Sequence, residues 1–236
     1  MLPMARHKDT AAESDLRDRP AYGLVEAARY VKLPSATLRS WVAGRAYPKA
    51  QGIGHFRPLI RPRQAQPVAL SFWNLIEAHV LRALRTEHGV TIRALREAID
   101  YAERKLKIER LLLSRELRTD AGKLFLDKYG QLIDLPASGQ LAMRLVFDEH
   151  LKRVEWDEWK FPVRLYPFLT GHTLAPRAIA IDASIAFGRP IVARAGISTA
   201  AIAGRIDARE PADEIAADYD LTVEEVEQAV LYERAA

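Results

Sequence analysis

Apolar residues at Leu24, Val25, Ala27, Ala28 and Val31 fall at helical spacing, and Leu33-Pro34 stops the run. Ser35 stands where a side chain caps a second helix, whose inward positions are Leu38, Trp41 and Val42 and whose stop is Gly44. Trp41 lies three residues past Leu38 on the same side and is assigned to the core. The pattern predicts a helix, a tight turn and a helix. Residues 47 to 63 then hold three prolines and two glycines around Phe56, Leu59 and Ile60, which suits a short two-stranded wing. Ser71 is placed to cap a long helix with Phe72, Leu75, Ile76, Val80, Leu81 and Leu84 on one side, ended by Gly89. Thr91 starts another, whose apolar positions Ile92, Leu95, Ile99, Ala102 and Leu106 alternate steps of three and four, as a helix lying along a second helix requires.

Period-two spacing from Lys123, a turn at 127–130 and Leu132 to Leu135 predict a hairpin, and Ser138 opens a helix to about Arg153 with Leu141, Leu145, Val146 and Leu151 inward. A strand at 161–166 and a linking hairpin at 176–198, turning at Phe187-Gly188-Arg189-Pro190, follow. Three helices close the chain: Thr199 to Ala208, Pro211 to Asp218, and Val223 to Arg234 capped by Thr222. The expected fold is mainly α. It has a flexible arm at 1–20, a winged helix-turn-helix with a long helical pair at 21–118, a small α+β connecting region at 119–176, and a tri-helical, helix-turn-helix-like module at 177–236.

The 236 residues are 49% hydrophobic and 28% charged, ordinary for a soluble globular chain with a real core. With no apolar run of membrane-spanning length and no apolar stretch near Arg6, Lys8, Asp9, Glu13 and Asp15, we expect a cytoplasmic protein without a membrane partner. The absence of cysteine removes disulfide frameworks, zinc ribbons and cysteine nucleophiles. The net charge of +4 hides an asymmetry, since residues 1–118 carry 22 basic against 12 acidic side chains and residues 119–236 carry 13 against 19. Between Glu26 and Glu77 there is no acidic residue, but there are eight basic ones: Arg29, Lys32, Arg39, Arg45, Lys49, Arg57, Arg61 and Arg63. Such a stretch is either a solvated face or the footprint of a polyanion.

No enzyme site emerges. The six histidines lack ligand spacing, no phosphate loop or nucleophile elbow occurs, and the adjacent Asp148, Glu149 and His150 point apart on a helix. We expect no catalysis, metal or cofactor. Glu155, Asp157 and Glu158 interleave with Trp156 and Trp159, a cluster that packs a domain junction or forms an aromatic ligand pocket.

The run Tyr22-Gly23-Leu24-Val25-Glu26-Ala27-Ala28-Arg29-Tyr30, followed by Pro34-Ser35-Ala36-Thr37-Leu38-Arg39-Ser40-Trp41, resembles the opening of MerR-type winged-helix regulators. Phe56-Arg57, Leu70 to Leu75, and Gly89 to Arg96 continue that likeness to about residue 106. Ile181 to Val192, Gly196-Ile197-Ser198-Thr199, the turn at Ile215 to Thr222, and Val226 to Tyr232 resemble the domain-of-unknown-function 433 family. Together the halves look like a long, two-domain antitoxin of the VapB type. That resemblance implies a protein that binds operator DNA, represses its own operon, and neutralises a PIN-like ribonuclease toxin by direct contact. A ligand-sensing MerR-like regulator, with a small molecule at Trp156 and Trp159, is the alternative.

On this reading Ser35, Thr37, Arg39 and Ser40 open the recognition helix toward bases and phosphates, and Arg45, Arg57, Arg61 and Arg63 meet phosphate from the wing. Residues 205–236 carry ten acidic and three basic side chains. Asp213, Glu214, Asp218, Glu224, Glu225 and Glu227, with Tyr219 and Tyr232 and with Asp182 nearby, are the expected toxin-binding set, against a solubilising surface as the plain alternative. Leu221, Val226 and Val230 are counted with them as outward-facing. A homodimer is expected through Phe72 to Leu84 and Ile92 to Leu113, with Leu111-Leu112-Leu113 as an apolar run that a monomer would expose.

Overall fold

The computed structural model describes residues 15–86, 92–101, 103–104, 110–113, 151–159, 161–168 and 177–235. Strand β1 (Tyr22–Gly23) leads into α1 (Leu24–Tyr30) and α2 (Ser35–Ala43), followed by a hairpin of β2 (Arg45–Lys49) and β3 (Gly52–Phe56). Strands β4 (Gln64–Ala65) and β5 (Val68–Leu70) pair antiparallel, and β5 also pairs with β1, aligning Tyr22 with Leu70. Helices α3 (Phe72–Thr86) and α4 (Ile92–Tyr101) follow. Strands β6 (Val154–Trp156), β7 (Pro162–Leu165), β8 (Ile179–Asp182) and β9 (Ile191–Val192) form one four-stranded sheet in that order. Helices α5 (Thr199–Asp207), α6 (Ala212–Asp218) and α7 (Val223–Arg234) complete the chain. The helices stand where the sequence places them, yet the architecture is mixed α/β, because strands of two to five residues are too short for alternation to declare them. The hairpin at 123–135, most of the helix from Ser138, Gly89, Thr91 and the 148–150 triplet lie outside the described residues.

Every residue of α3 from Phe72 to Leu81 is buried. The expected stripe is therefore a helix wrapped on all sides, each of Phe72, Leu75, Ile76 and Leu81 contributing roughly 1.5–3 kcal/mol by burial. This removes the α3 part of the expected dimer face, since a helix enclosed by its own chain has no surface left for a second copy. Leu112 and Leu113 are buried in the same core rather than exposed. Ser71 does cap α3: its hydroxyl accepts from the Asn74 N–H at 3.2 Å while the Asn74 side chain accepts from the Ser71 N–H at 3.1 Å.

Polar groups at this end of α3 form a closed set. Arg110 donates to Asp18 at 2.9 Å and to both oxygens of Glu77 at 3.2 and 3.1 Å, and Asn74 donates to Glu77 at 2.8 Å. Arg63 also donates to Asp18, at 2.6 Å through Nε. Burial pushes the Glu77 carboxyl above its usual range against the pull of Arg110. Burial acts the same way on Asp18, but Arg63 and Arg110 together hold it below. Residues 15–20 are thus not a frayed arm: Leu16–Asp18 form a 3-10 turn whose last carboxylate anchors the segment.

A second core of Ile179, Val192, Ile202, Ile215, Val226, Ala229 and Tyr232 holds the C-terminal helices on β8 and β9. Strand β8 serves both cores, with Ile179 in this one and Ile181 in the main one. Its pairing with β7 means that the sheet takes two strands from each side of residue 176. Helix α7 carries a complete capping box between Thr222 and Glu225.

Among the described residues, three hydrogen bonds of buried or half-buried side chains join the helix-turn-helix to the C-terminal module, beside an Arg29–Glu233 ion pair at 3.5 Å. Tyr22 donates to the Gly188 carbonyl at 3.0 Å, Tyr232 donates to the Tyr30 carbonyl at 3.0 Å, and Lys32 donates to the Tyr232 carbonyl at 2.6 Å with its Nζ 3.9 Å from the Tyr232 ring centre. Burial lowers the Lys32 amine from 10.5 to about 8. Below that pH the amine is charged in both folded and unfolded chains and the folded state carries the cost of burying it; between 8 and 10.5 the folded state sheds its proton first, so stability rises with pH. Wild-type stability in urea should therefore improve relative to Lys32→Met between pH 7 and pH 10. A difference that stays constant over that range would show the amine to be fully hydrated in solution.

Candidate nucleic-acid interface

The turn between α1 and α2 is closed by the Leu33 N–H on the Ala28 carbonyl at 2.8 Å, with Lys32 at φ +54°. Leu38, Trp41 and Val42 point inward and are buried, as their spacing predicts, and this turns Ser35, Ala36 and Arg39 outward. Val25 departs from the expected stripe and is exposed, its place in the core taken by Tyr30. Ser35 does not cap α2; the cap position belongs to Pro34, whose carbonyl accepts from Thr37 and Leu38 at 2.9 and 3.1 Å, and no side chain closes the end. The Ser35 hydroxyl is thereby left on the surface at the helix start. Thr37 and Ser40 are half-buried, and Ser40 donates to the Thr37 carbonyl at 2.8 Å.

The hairpin starts two residues earlier than predicted and is tied directly to α2. The Trp41 carbonyl, left over at the helix end, accepts from both Leu59 and Ile60 at 2.7 and 3.1 Å, so the chain returning from the hairpin locks onto α2 itself. Gly44 makes the link at φ +75° and ψ −173°, a region that only glycine adopts at ease, with its Cα against the Phe56 carbonyl. Tyr47 stacks on Phe56 at 4.0 Å, and the Arg96 guanidinium of α4 lies 4.7 Å from the Phe56 ring centre. Lys49, counted in sequence only among the eight basic residues, and Arg96, which carried no assignment there, thus belong to this surface; no spacing rule announces that α4 backs the wing.

The basic residues sort by what they touch. Arg39, Arg45 and Arg57 are exposed. Arg61 is exposed but paired with Glu103 at 2.9 Å, and Arg63 is drawn into the Asp18 network. A cleft of about 420 Å³ between wing and α4 is lined by His55, Phe56, Arg57, Arg61 and Arg96 together with Asp100 and Glu103.

The acidic end sorts in the same manner. Asp213, Glu214, Glu224 and Glu227 are exposed. Glu225 is spent on capping α7 and on Arg194 at 3.0 Å, and Asp218 holds Arg205 at 2.6 Å. Tyr219 is half-buried beneath the Arg205 guanidinium, and Leu221 and Val230 are likewise half-buried against the second core. Tyr232 and Val226 are not outward-facing: both are buried, and the Tyr232 hydroxyl is spent on Tyr30. Asp182 is also buried, accepting from Arg164 at 3.1 and 3.0 Å. Trp156 packs on the main core, whereas Trp159 is 73% exposed. Among the described residues no group of three or more His, Asp or Glu side chains is placed to hold a metal, and no helix is long and apolar enough to cross a membrane.

Replacing Gly44 by alanine tests the hinge between helix and wing. The Cβ would collide with the Phe56 carbonyl oxygen in a backbone region that already costs about 1–3 kcal/mol for other residues. Chemical denaturation should show a loss of at least that size, whereas a neutral change would mean that the wing is not fixed at this angle.

Residues 20–99 match the family model described as "Putative DNA-binding HTH domain", and residues 179–232 match that of "Protein of unknown function (DUF433)". Over 239 aligned residues the chain is 26% identical to the "Putative antitoxin VapB45" of Mycobacterium tuberculosis (strain ATCC 25618 / H37Rv), covering 92% of this chain and 96% of that one. The X-ray crystal structure of Rv2018 from Mycobacterium tuberculosis superposes with a TM-score of 0.67 at 22% identity, over 90% of this chain and 98% of that one, a likeness of fold. Both resemblances read from the sequence are thereby met: residues 20–99 are similar to this helix-turn-helix family and residues 179–232 to the DUF433 family, in a chain similar over nearly its whole length to that putative antitoxin.

Proposed function

We propose that the protein is an antitoxin that binds operator DNA, represses its own operon, and neutralises a PIN-like ribonuclease toxin by direct binding in the cytoplasm, without catalysis of its own. The observation that carries the DNA part is the outward surface of α2 and the wing. It displays Arg39, Arg45, Lys49 and Arg57 in a stretch of fifty residues without a carboxylate, on a frame fixed by the bonds of Leu59 and Ile60 to Trp41. Ser35, Thr37 and Arg39 occupy the helix start that reads base edges, with Ser40 positioning Thr37. Arg45 and Arg57 take phosphates. Arg61 and Arg63 take a smaller share, because Glu103 and Asp18 compete for them. Two-fold operators call for a dimer, whose interface lies away from the buried face of α3.

For the toxin, the length-wide likeness to a protein named as an antitoxin supports the reading, and the exposed Asp213, Glu214, Glu224 and Glu227 supply the negative surface that a basic RNA-binding groove seeks. Tyr219 and the outer edge of the adjoining Asp218 complete that surface.

Titrating the DNA upstream of the gene at several salt concentrations tests the first half. Arg39→Ala should cost roughly 1–3 kcal/mol and relax one base position, whereas Arg57→Ala should weaken all sequences alike and flatten the salt slope by about one unit. Absence of any shift at low salt would refute DNA binding. For the second half, the full chain should retain the neighbouring gene product on a column, and reversing Glu224 and Glu227 to lysine together should abolish that. Retention unaffected by the reversal would move the contact off this face.

A further inference from the structure

Helix α4 carries a cation that the described chain leaves unanswered. Arg96 follows the buried Leu95 and stands one turn before Ile99, so its stem lies beside the apolar seam that seats α4 on the main core. Its Nε and Nη1 are buried and have no hydrogen-bond partner among the described residues. The Phe56 ring, 4.7 Å from the guanidinium, offers them only a π face. Burial pulls the Arg96 pKa below the usual arginine range, against the field of Asp100. Native proteins answer the great majority of their buried N–H groups, and a side chain needed here for packing alone would be aliphatic. Arg96 lines the cleft of about 420 Å³ between wing and α4, together with the apolar Phe56, Pro58, Leu59 and Ile99. Both carboxylates of that cleft are already engaged, Glu103 with Arg61 at 2.9 Å and Asp100 with Arg104 at 3.6 Å. Arg96 and the exposed Arg57 are left as its uncompensated charges.

We propose that this cleft binds a small organic anion, with its charged group on Arg96 and Arg57 and its apolar body against Leu59 and Ile99. Charge selects the sign, because a neutral or cationic occupant would leave the guanidinium as it stands. The walls select the body. A bare ion would gain nothing from four apolar side chains, and the volume falls in the range of sites that hold small molecules. The Phe56 ring, itself at the surface, moves off the guanidinium as the anion enters. Arg57 and Arg61 also belong to the proposed DNA surface, so an anion in the cleft draws cations away from phosphate, and ligand and DNA weaken one another by linkage. That consequence rests on the DNA reading; the site itself does not.

The test uses the full-length chain without DNA. Calorimetric titration at constant ionic strength compares benzoate and phenyl phosphate with benzamide, which lacks the charge, and with inorganic phosphate, which lacks the apolar body. One of the two organic anions should bind saturably and one to one, with its control about tenfold weaker or worse. Arg96→Met should weaken that binding about tenfold while stability in urea holds or rises, since the variant removes unanswered donors and keeps the stem. Arg57→Gln, a change at an exposed position, should weaken it without touching stability, and decides the matter if Arg96→Met does not fold. Failure of both anions to bind, binding that benzamide or inorganic phosphate matches, or binding undiminished in the variants overturns the site and leaves DNA binding untouched. If neither anion binds but Arg96→Met flattens the salt slope of DNA binding, the cation belongs to the nucleic-acid backbone and the proposal fails.

Discussion

A helix surrounded on every side by its own chain cannot tolerate an unanswered carboxylate, and α3 carries Glu77 in its second turn. The answer comes from Arg110, with Asp18 as the second anion on the same guanidinium and Arg63 as the second cation on Asp18. Breaking such a buried pair from one side typically costs about 3–5 kcal/mol, so the network dictates where four separate pieces of chain must be. It draws in the segment before β1, the stretch between β3 and β4, the head of α3 and the turn at Arg110. The helix-turn-helix is held in place by what surrounds α3 as much as by its own short core.

A second constraint lies at the other end of α1. Tyr22, Tyr30 and Lys32 each bond to the C-terminal module, and Tyr22 and Tyr30 also meet edge-on at 5.9 Å. The charged surface on α2 and the acidic surface on α6 and α7 therefore belong to one continuous framework. Helix α7 rests on the first helix of the helix-turn-helix, through the residue that sequence reasoning had assigned to an outside partner.

That misassignment shows where the sequence is legible. Helix starts at Ser71 and Thr222, the stop at Gly44 and the inward Trp41 all follow from local rules, because capping and periodicity act within a few residues. Tyr232 could not be placed in this way, since its partner Tyr30 is some two hundred residues away. The same holds for Asn74, Glu77 and His79, which read as the solvent side of an amphipathic helix until distant segments cover them. Within the candidate surfaces, charge located the basic and acidic regions correctly but did not divide them. Arg63, Glu225 and Asp182 are indistinguishable in sequence from Arg57, Glu224 and Asp213, and only the fold shows which of them are already engaged.

Strand β8 opens the DUF433 segment, yet one of its two edges is covered by β7, which lies outside that segment. Cut from its host, the segment would present a raw row of backbone donors and acceptors along a strand buried on both faces. A gene fusion that grafts such a unit onto a new protein must bring a complementary strand with it or find one in the recipient. Here the two share a sheet, so the C-terminal segment and the stretch that precedes it complete one another.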